Sequence, residues 1–106
     1  MPLDKKNQRK YRSIGHHLDP VVIVANGLTE NVLAEINRAL SDHELIKVRI
    51  VADEREDRKA IIGEICELQQ AELVQTIGKI ALIYREAVEK KPHLSNVERY
   101  KDSIKG

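Results

Sequence analysis

With 106 residues, 42% of them hydrophobic and 33% charged, the chain fits one soluble domain and is too short for two independent cores. It has three tyrosines and no Trp or Phe, which argues against a face that stacks on splayed bases and requires a core of Ile, Leu, Val and Ala. The single cysteine, Cys66, excludes an intramolecular disulfide and a structural zinc site built on cysteines, and no apolar run reaches the roughly 20 residues that cross a bilayer.

The net charge of +1 is unevenly spread. Residues 1–18 carry Lys5, Lys6, Arg9, Lys10 and Arg12 against Asp4 alone. Residues 50–72 carry Arg55, Arg58 and Lys59 against seven acids, and residues 73–85 hold Lys79 and Arg85 with no acid. Segregation of this kind can make a locally positive surface on a nearly neutral protein, although a solvated helix face is the usual meaning of surface charge. The basic N-terminus runs into Gln, Arg and His rather than an apolar segment, so it is not a secretory signal. Cytoplasmic residence is the expectation.

Residues 4–16 predict a helix, with Asp4 as N-cap, Gly15 as stop, and Leu3, Tyr11, Ile14 and Leu18 on one stripe. Pro20 opens an extended segment, and the unbroken run Val21 to Val24 suits a strand covered on both faces. The turn Ala25-Asn26-Gly27 leads to Thr29, the expected N-cap of a helix that carries Val32, Leu33, Ile36 and Leu40 on one face to about Leu40. Residues 45–51 alternate, with Ile46, Val48 and Ile50 on one side and Lys47 and Arg49 on the other. Asp53 is the expected cap of a third helix with Ile61, Ile62, Ile65 and Leu68 on its apolar face. Leu73 to Ile77 and Ile80 to Tyr84 read as strands joined by Gly78-Lys79, a two-residue loop of type II′ form.

The predicted order is α-β-α-β-α-β-β, an α/β fold with a mixed four-stranded sheet and helices packed on it. Residues 1–86 make the domain, and the polar stretch 87–106 is expected to be a mobile tail with a short helix near Asn96 to Ile104.

Four stretches then stand out together. They are His17-Leu18-Asp19-Pro20-Val21-Val22, Asn26-Gly27-Leu28-Thr29-Glu30, His43-Glu44-Leu45-Ile46-Lys47-Val48, and Ile77-Gly78-Lys79 with Leu82-Ile83-Tyr84-Arg85. In this order and near-spacing, over roughly residues 3–86, the chain resembles the bacterial YhbY family of RNA-binding proteins. That family is the stand-alone form of the CRM (chloroplast RNA splicing and ribosome maturation) domain. The resemblance implies a sheet topology similar to the C-terminal domain of translation initiation factor 3. It also implies RNA binding, associated in bacterial members with precursors of the large ribosomal subunit. Family members commonly carry Gly-x-x-Gly before Leu-Thr, likened to the backbone clamp of KH domains. This chain has only Gly27 there.

The chemistry that follows is electrostatic. Lys5, Lys6, Arg9, Lys10 and Arg12 on one helix are expected to track phosphates and release counterions. Lys47, Arg49, Lys79 and Arg85 are candidates to extend that set, although the sequence does not say which of them share a side with the helix. Asn26, Gly27, Leu28 and Thr29 sit where a strand meets a helix N-terminus, and backbone N–H groups there are placed to donate to a phosphate oxygen. A structural role, with Gly27 turning the chain and Thr29 capping the helix, is the alternative for this turn. Arg85 has its own alternative, an ion pair with an acid of the third helix. His16, His17 and His43 lack metal-ligand spacing, and the acids at 53–57 suit the first turn of a helix rather than catalysis. The expectation is a non-catalytic, monomeric protein without cofactor that binds ribosomal RNA or pre-50S particles, and neither DNA nor membrane. A protein–protein adaptor on assembly particles and a binder of small phosphorylated ligands are the rival readings.

Overall fold

A computed structural model describes residues 3–100. Its elements are α1 (Lys5–Gly15), β1 (Pro20–Val24), α2 (Glu30–His43), β2 (Leu45–Ile50), α3 (Arg55–Gln69), β3 (Glu72–Ile77), β4 (Ile80–Tyr84) and α4 (Asn96–Tyr100). The strands form one mixed sheet in the order β1-β2-β4-β3. β1 and β2 are parallel, and β4 is antiparallel to both of its neighbours. The predicted order and mixed sheet are present, and α4 begins where a short helix is expected, at Asn96.

Alternation along the strands divides the side chains between two faces. On one, Val22, Val24, Ile46, Val48, Ile50 and Ile83 are buried against Ile36 and Leu40 of α2 and Ile62 and Ile65 of α3. On the other, Leu45, Val74 and Leu82 pack with Tyr11 and Ile14 of α1, and Val97 and Tyr100 of α4 close around them. The sheet is thus the middle of three layers.

Local chemistry sets the helix ends. The Asp4 carboxylate accepts from the Asn7 amide at 2.7 Å, and Thr29 Oγ1 accepts from the Val32 amide at 3.2 Å, both standard N-caps. α3 differs from expectation. Its N-cap is Glu54, without a side-chain bond, and the Asp53 side chain caps nothing. The entry to α3 is fastened instead by Arg58, whose Nη1 donates to the carbonyls of Ala52 and Asp53, each at 2.8 Å.

One further expectation gives way to packing. β1 is not covered on both faces: Val22 and Val24 are buried, but Val21 and Ile23 are 51% and 58% exposed. β1 is the sheet edge, and α1 lies over β2 and β3 instead. Gly15 ends α1 without a left-handed backbone. What it provides is space: a Cβ there would stand 2.6 Å from Leu82 Cδ2, so glycine lets the helix close on the sheet.

The segment after β4 is tied to the domain up to Tyr100. Glu44, at the α2–β2 junction, is 3% exposed and has a φ of +63°. Its carboxylate accepts from the Ala87 amide at 2.8 Å, from Ser95 Oγ at 2.6 Å and from Lys90 Nζ at 3.4 Å. Asn96 Nδ2 donates to the Leu45 carbonyl, and His43 Nδ1 is 2.8 Å from the Leu94 carbonyl oxygen. Contacts of this kind hold residues 87–100, the part of the expected tail that is described. The rest of the helix expected to Ile104 lies outside the described residues.

Candidate nucleic-acid interface

α1 turns Tyr11 and Ile14 to the sheet, which leaves its cations on the outer circumference. Lys5, Lys6, Arg9 and Arg12 are exposed and Lys10 is half-buried. Among the described residues, none of the five makes an ion pair. Lysines and arginines left unpaired on one helix are free to meet phosphates, and release of counterions favours that contact.

Strand alternation places Lys47 and Arg49 on the face of β2 that carries Leu45, which is the α1 face. Both are also without ion pairs among the described residues. The register sets Arg49 in a row across the sheet, between Ile23 of β1 and Ile80 of β4, with Ile77 of β3 beyond. Ile23 and Ile77 are exposed, so Arg49 rises from an aliphatic floor open to solvent. Sequence alone could not say whether the β2 cations share a side with α1. The sheet puts them together.

The β1–α2 turn lies at the end of this face. Gly27 has a φ of +82°, and a Cβ placed on it would meet nothing within 4 Å. Asn26, Gly27 and Thr29 are exposed, whereas Leu28 packs its side chain against the core and contributes only backbone to the surface. The β3–β4 hairpin reaches the same end, where the Ile50 amide donates to the Lys79 carbonyl at 2.7 Å. Gly78 has a φ of +57° and Lys79 does not share that conformation, as a type II′ loop requires. Lys79 itself lies 3.5 Å from Asp53, an exposed pair that water screens strongly.

The model of the CRS1/YhbY (CRM) domain matches residues 3–85. The chain belongs to the CRS1/YhbY (CRM) family. It is 52% identical over 101 residues to a Pseudomonas aeruginosa protein named a probable RNA-binding protein, covering 94% of this chain and 97% of that one. A Haemophilus influenzae protein named an RNA-binding protein is 46% identical over 93 residues, covering 87% and 94%. The solution structure of a hypothetical protein from Staphylococcus aureus matches with a TM-score of 0.74 at 37% identity, covering 84% and 94%.

Within this CRM domain, Arg85 stands apart from the other cations. Its Nη1 donates to the backbone and side-chain oxygens of Gln69 at 3.2 and 3.3 Å, and its Nη2 to the Asn37 carbonyl and Ser41 Oγ at 3.0 and 2.9 Å. It joins α2 to α3 on the opposite face, and its partners there are not acids. Two of the candidate histidines have partners within the fold: His17 stacks on Tyr100 with centroids 5.6 Å apart, and His43 Nδ1 meets the Leu94 carbonyl. Among the described residues no group of three or more His, Cys, Asp or Glu is placed to hold a metal ion. No described helix is long and apolar enough to cross a membrane.

The aliphatic residues around Arg49 are the feature that sequence reading missed. The unbroken run Val21 to Val24 predicts a doubly covered strand, and the edge position of β1 is what exposes Ile23. Burial raises the Cys66 thiol above its ordinary value, as expected of an inert side chain against the core.

Proposed function

We propose that this CRM-family protein is a non-catalytic RNA-binding protein that grips structured RNA through its phosphates. The supporting observation is the gathering of unpaired cations from α1 and β2 on one face of the sheet, with the open Gly27 turn at its end. Lys5, Lys6, Arg9, Lys10 and Arg12 supply one wall, and Lys47 and Arg49 the floor beside it. Asn26, Gly27, Leu28 and Thr29 offer backbone amides at the N-terminus of α2, and Lys79 stands at the hairpin tip. Arg85 is left out of this surface because both of its terminal nitrogens are bonded to α2 and α3 on the opposite face. The partner we assign is ribosomal RNA in pre-50S particles, met in the cytoplasm by a monomer.

The test measures affinity for precursor ribosomal RNA against salt concentration. Replacing Lys5, Lys6, Arg9 and Lys10 together by Gln should make the log–log slope shallower by about 2–4. An unchanged slope would remove α1 from the interface. Partners that persist on ribosomal particles after ribonuclease digestion would favour a protein–protein adaptor instead.

A further inference from the structure

The segment from 50 to 72 is the acidic part of the chain, yet its three cations gather in one place. Arg55, Arg58 and Lys59 line a cleft of about 320 Å³ together with Ile62, Thr76 and Gly78. None of the lining residues is acidic. Glu54, Glu56 and Asp57 belong to the same turn of chain but are exposed elsewhere and line no part of the cleft.

Three features of this arrangement call for an anion. First, Arg55 and Lys59 are spaced i,i+4 and Arg55 and Arg58 i,i+3, so like charges share one helix stripe and repel one another. Second, they sit in the first turns of α3, where the helix dipole disfavours cations. Third, Arg58 is already oriented. Its Nη1 is held by the Ala52 and Asp53 carbonyls, which leaves the three N–H groups of Nη2 and Nε as a fixed fork. A planar fork of that kind matches a phosphate bidentately. Thr76, on the strand opposite, makes no hydrogen bond through its side chain among the described residues.

We infer that this cleft is a second phosphate-binding site, on the sheet face opposite α1. The inference rests on the RNA-binding reading and extends it. Gly78 lines the cleft and its neighbour Lys79 stands beside Asp53 at the hairpin tip, so an RNA strand on the α1 face reaches the cleft by passing round that tip. The shared chemistry is a phosphate group, carried either by that RNA or by a free phosphorylated compound.

The experiment uses the full chain with Arg55→Gln and Lys59→Gln combined. Both residues are exposed, and Arg58 is kept because it fastens the start of α3. Precursor ribosomal RNA should bind the variant with a log–log salt slope shallower than wild type by about 1–2. In a parallel arm, inorganic pyrophosphate is titrated while the amide resonances of Thr76 and Gly78 are followed. Saturable shifts that the variant loses, with an unaltered RNA slope, would assign the site to a free phosphorylated compound and overturn the RNA route. No change in either arm overturns the site altogether. The α1 variant, measured in the same series, keeps the two readings separate: its slope judges the RNA face, and that of the α3 variant judges the cleft. A wild-type chain that binds no RNA overturns the RNA reading and leaves the cleft to the pyrophosphate arm.

Discussion

Gly15 and Gly27 show how differently one residue type can serve. At Gly27 the surroundings are empty and the backbone is left-handed, so any cost of a side chain is conformational. At Gly15 the backbone is ordinary and the neighbour is close. A Gly15→Ala change gains some helix propensity, but its Cβ must displace the buried Leu82 side chain between Tyr11 and Ile14. A net loss of about 1–2 kcal/mol in urea unfolding is expected, and an unchanged midpoint would show that Leu82 yields freely. Arg85 makes a related point. A cation next to Tyr84 at a strand end reads like a ligand for phosphate, and four acceptors on α2 and α3 give it a structural task instead. No local pattern in the sequence announces those acceptors, because Asn37 and Ser41 lie more than 40 residues away.

At the scale of elements, the α2–β2 junction carries the clearest electrostatic commitment. Burial alone would raise the Glu44 carboxyl, but hydrogen bonds from Ser95 and the Ala87 amide, with the Lys90 charge, outweigh it and hold the group below its ordinary value. A carboxyl with a lowered folded pKa stabilises the fold fully above its unfolded value, near 4.5, and loses that contribution as the pH falls through the folded one. Stability should therefore fall on acidification below about pH 5, and Glu44→Gln should flatten that part of the profile in urea melts taken from pH 7 to pH 3. Glu44→Ala removes the acceptor from a buried amide and hydroxyl and should cost about 2–4 kcal/mol at pH 7. The strands and helices flanking this junction were legible because their periodicities are local. The partners of Glu44 were not, since they come from a polar stretch with no apolar pattern of its own.

For the molecule as a whole, the described part of the C-terminal segment completes the layer that α1 begins. Val97 and Tyr100 pack into the α1 core, and Asn96 and Ser95 bond Leu45 and Glu44. A chain ending at Glu86, the boundary read from the sequence, keeps all four strands but leaves the Glu44 charge without its partners. It should be less stable than the full chain by about 3–5 kcal/mol, with faster amide exchange in α1. Equal stability of the two would make the segment an accessory rather than part of the domain.

Sequence by itself determined the element order, the α2 and α1 caps, the hairpin and the cationic character of α1, because each depends on residues within a turn or two of one another. Tertiary structure alone decided which cations share a face. It brought Lys47 and Arg49 beside α1, turned Arg85 away, exposed Ile23 at the sheet edge and gathered Arg55, Arg58 and Lys59 around a cleft. The physical reason is the same in each case. Strand order and helix placement are set by burying apolar surface across the whole chain, and the direction in which a charge points follows from where that burial leaves it.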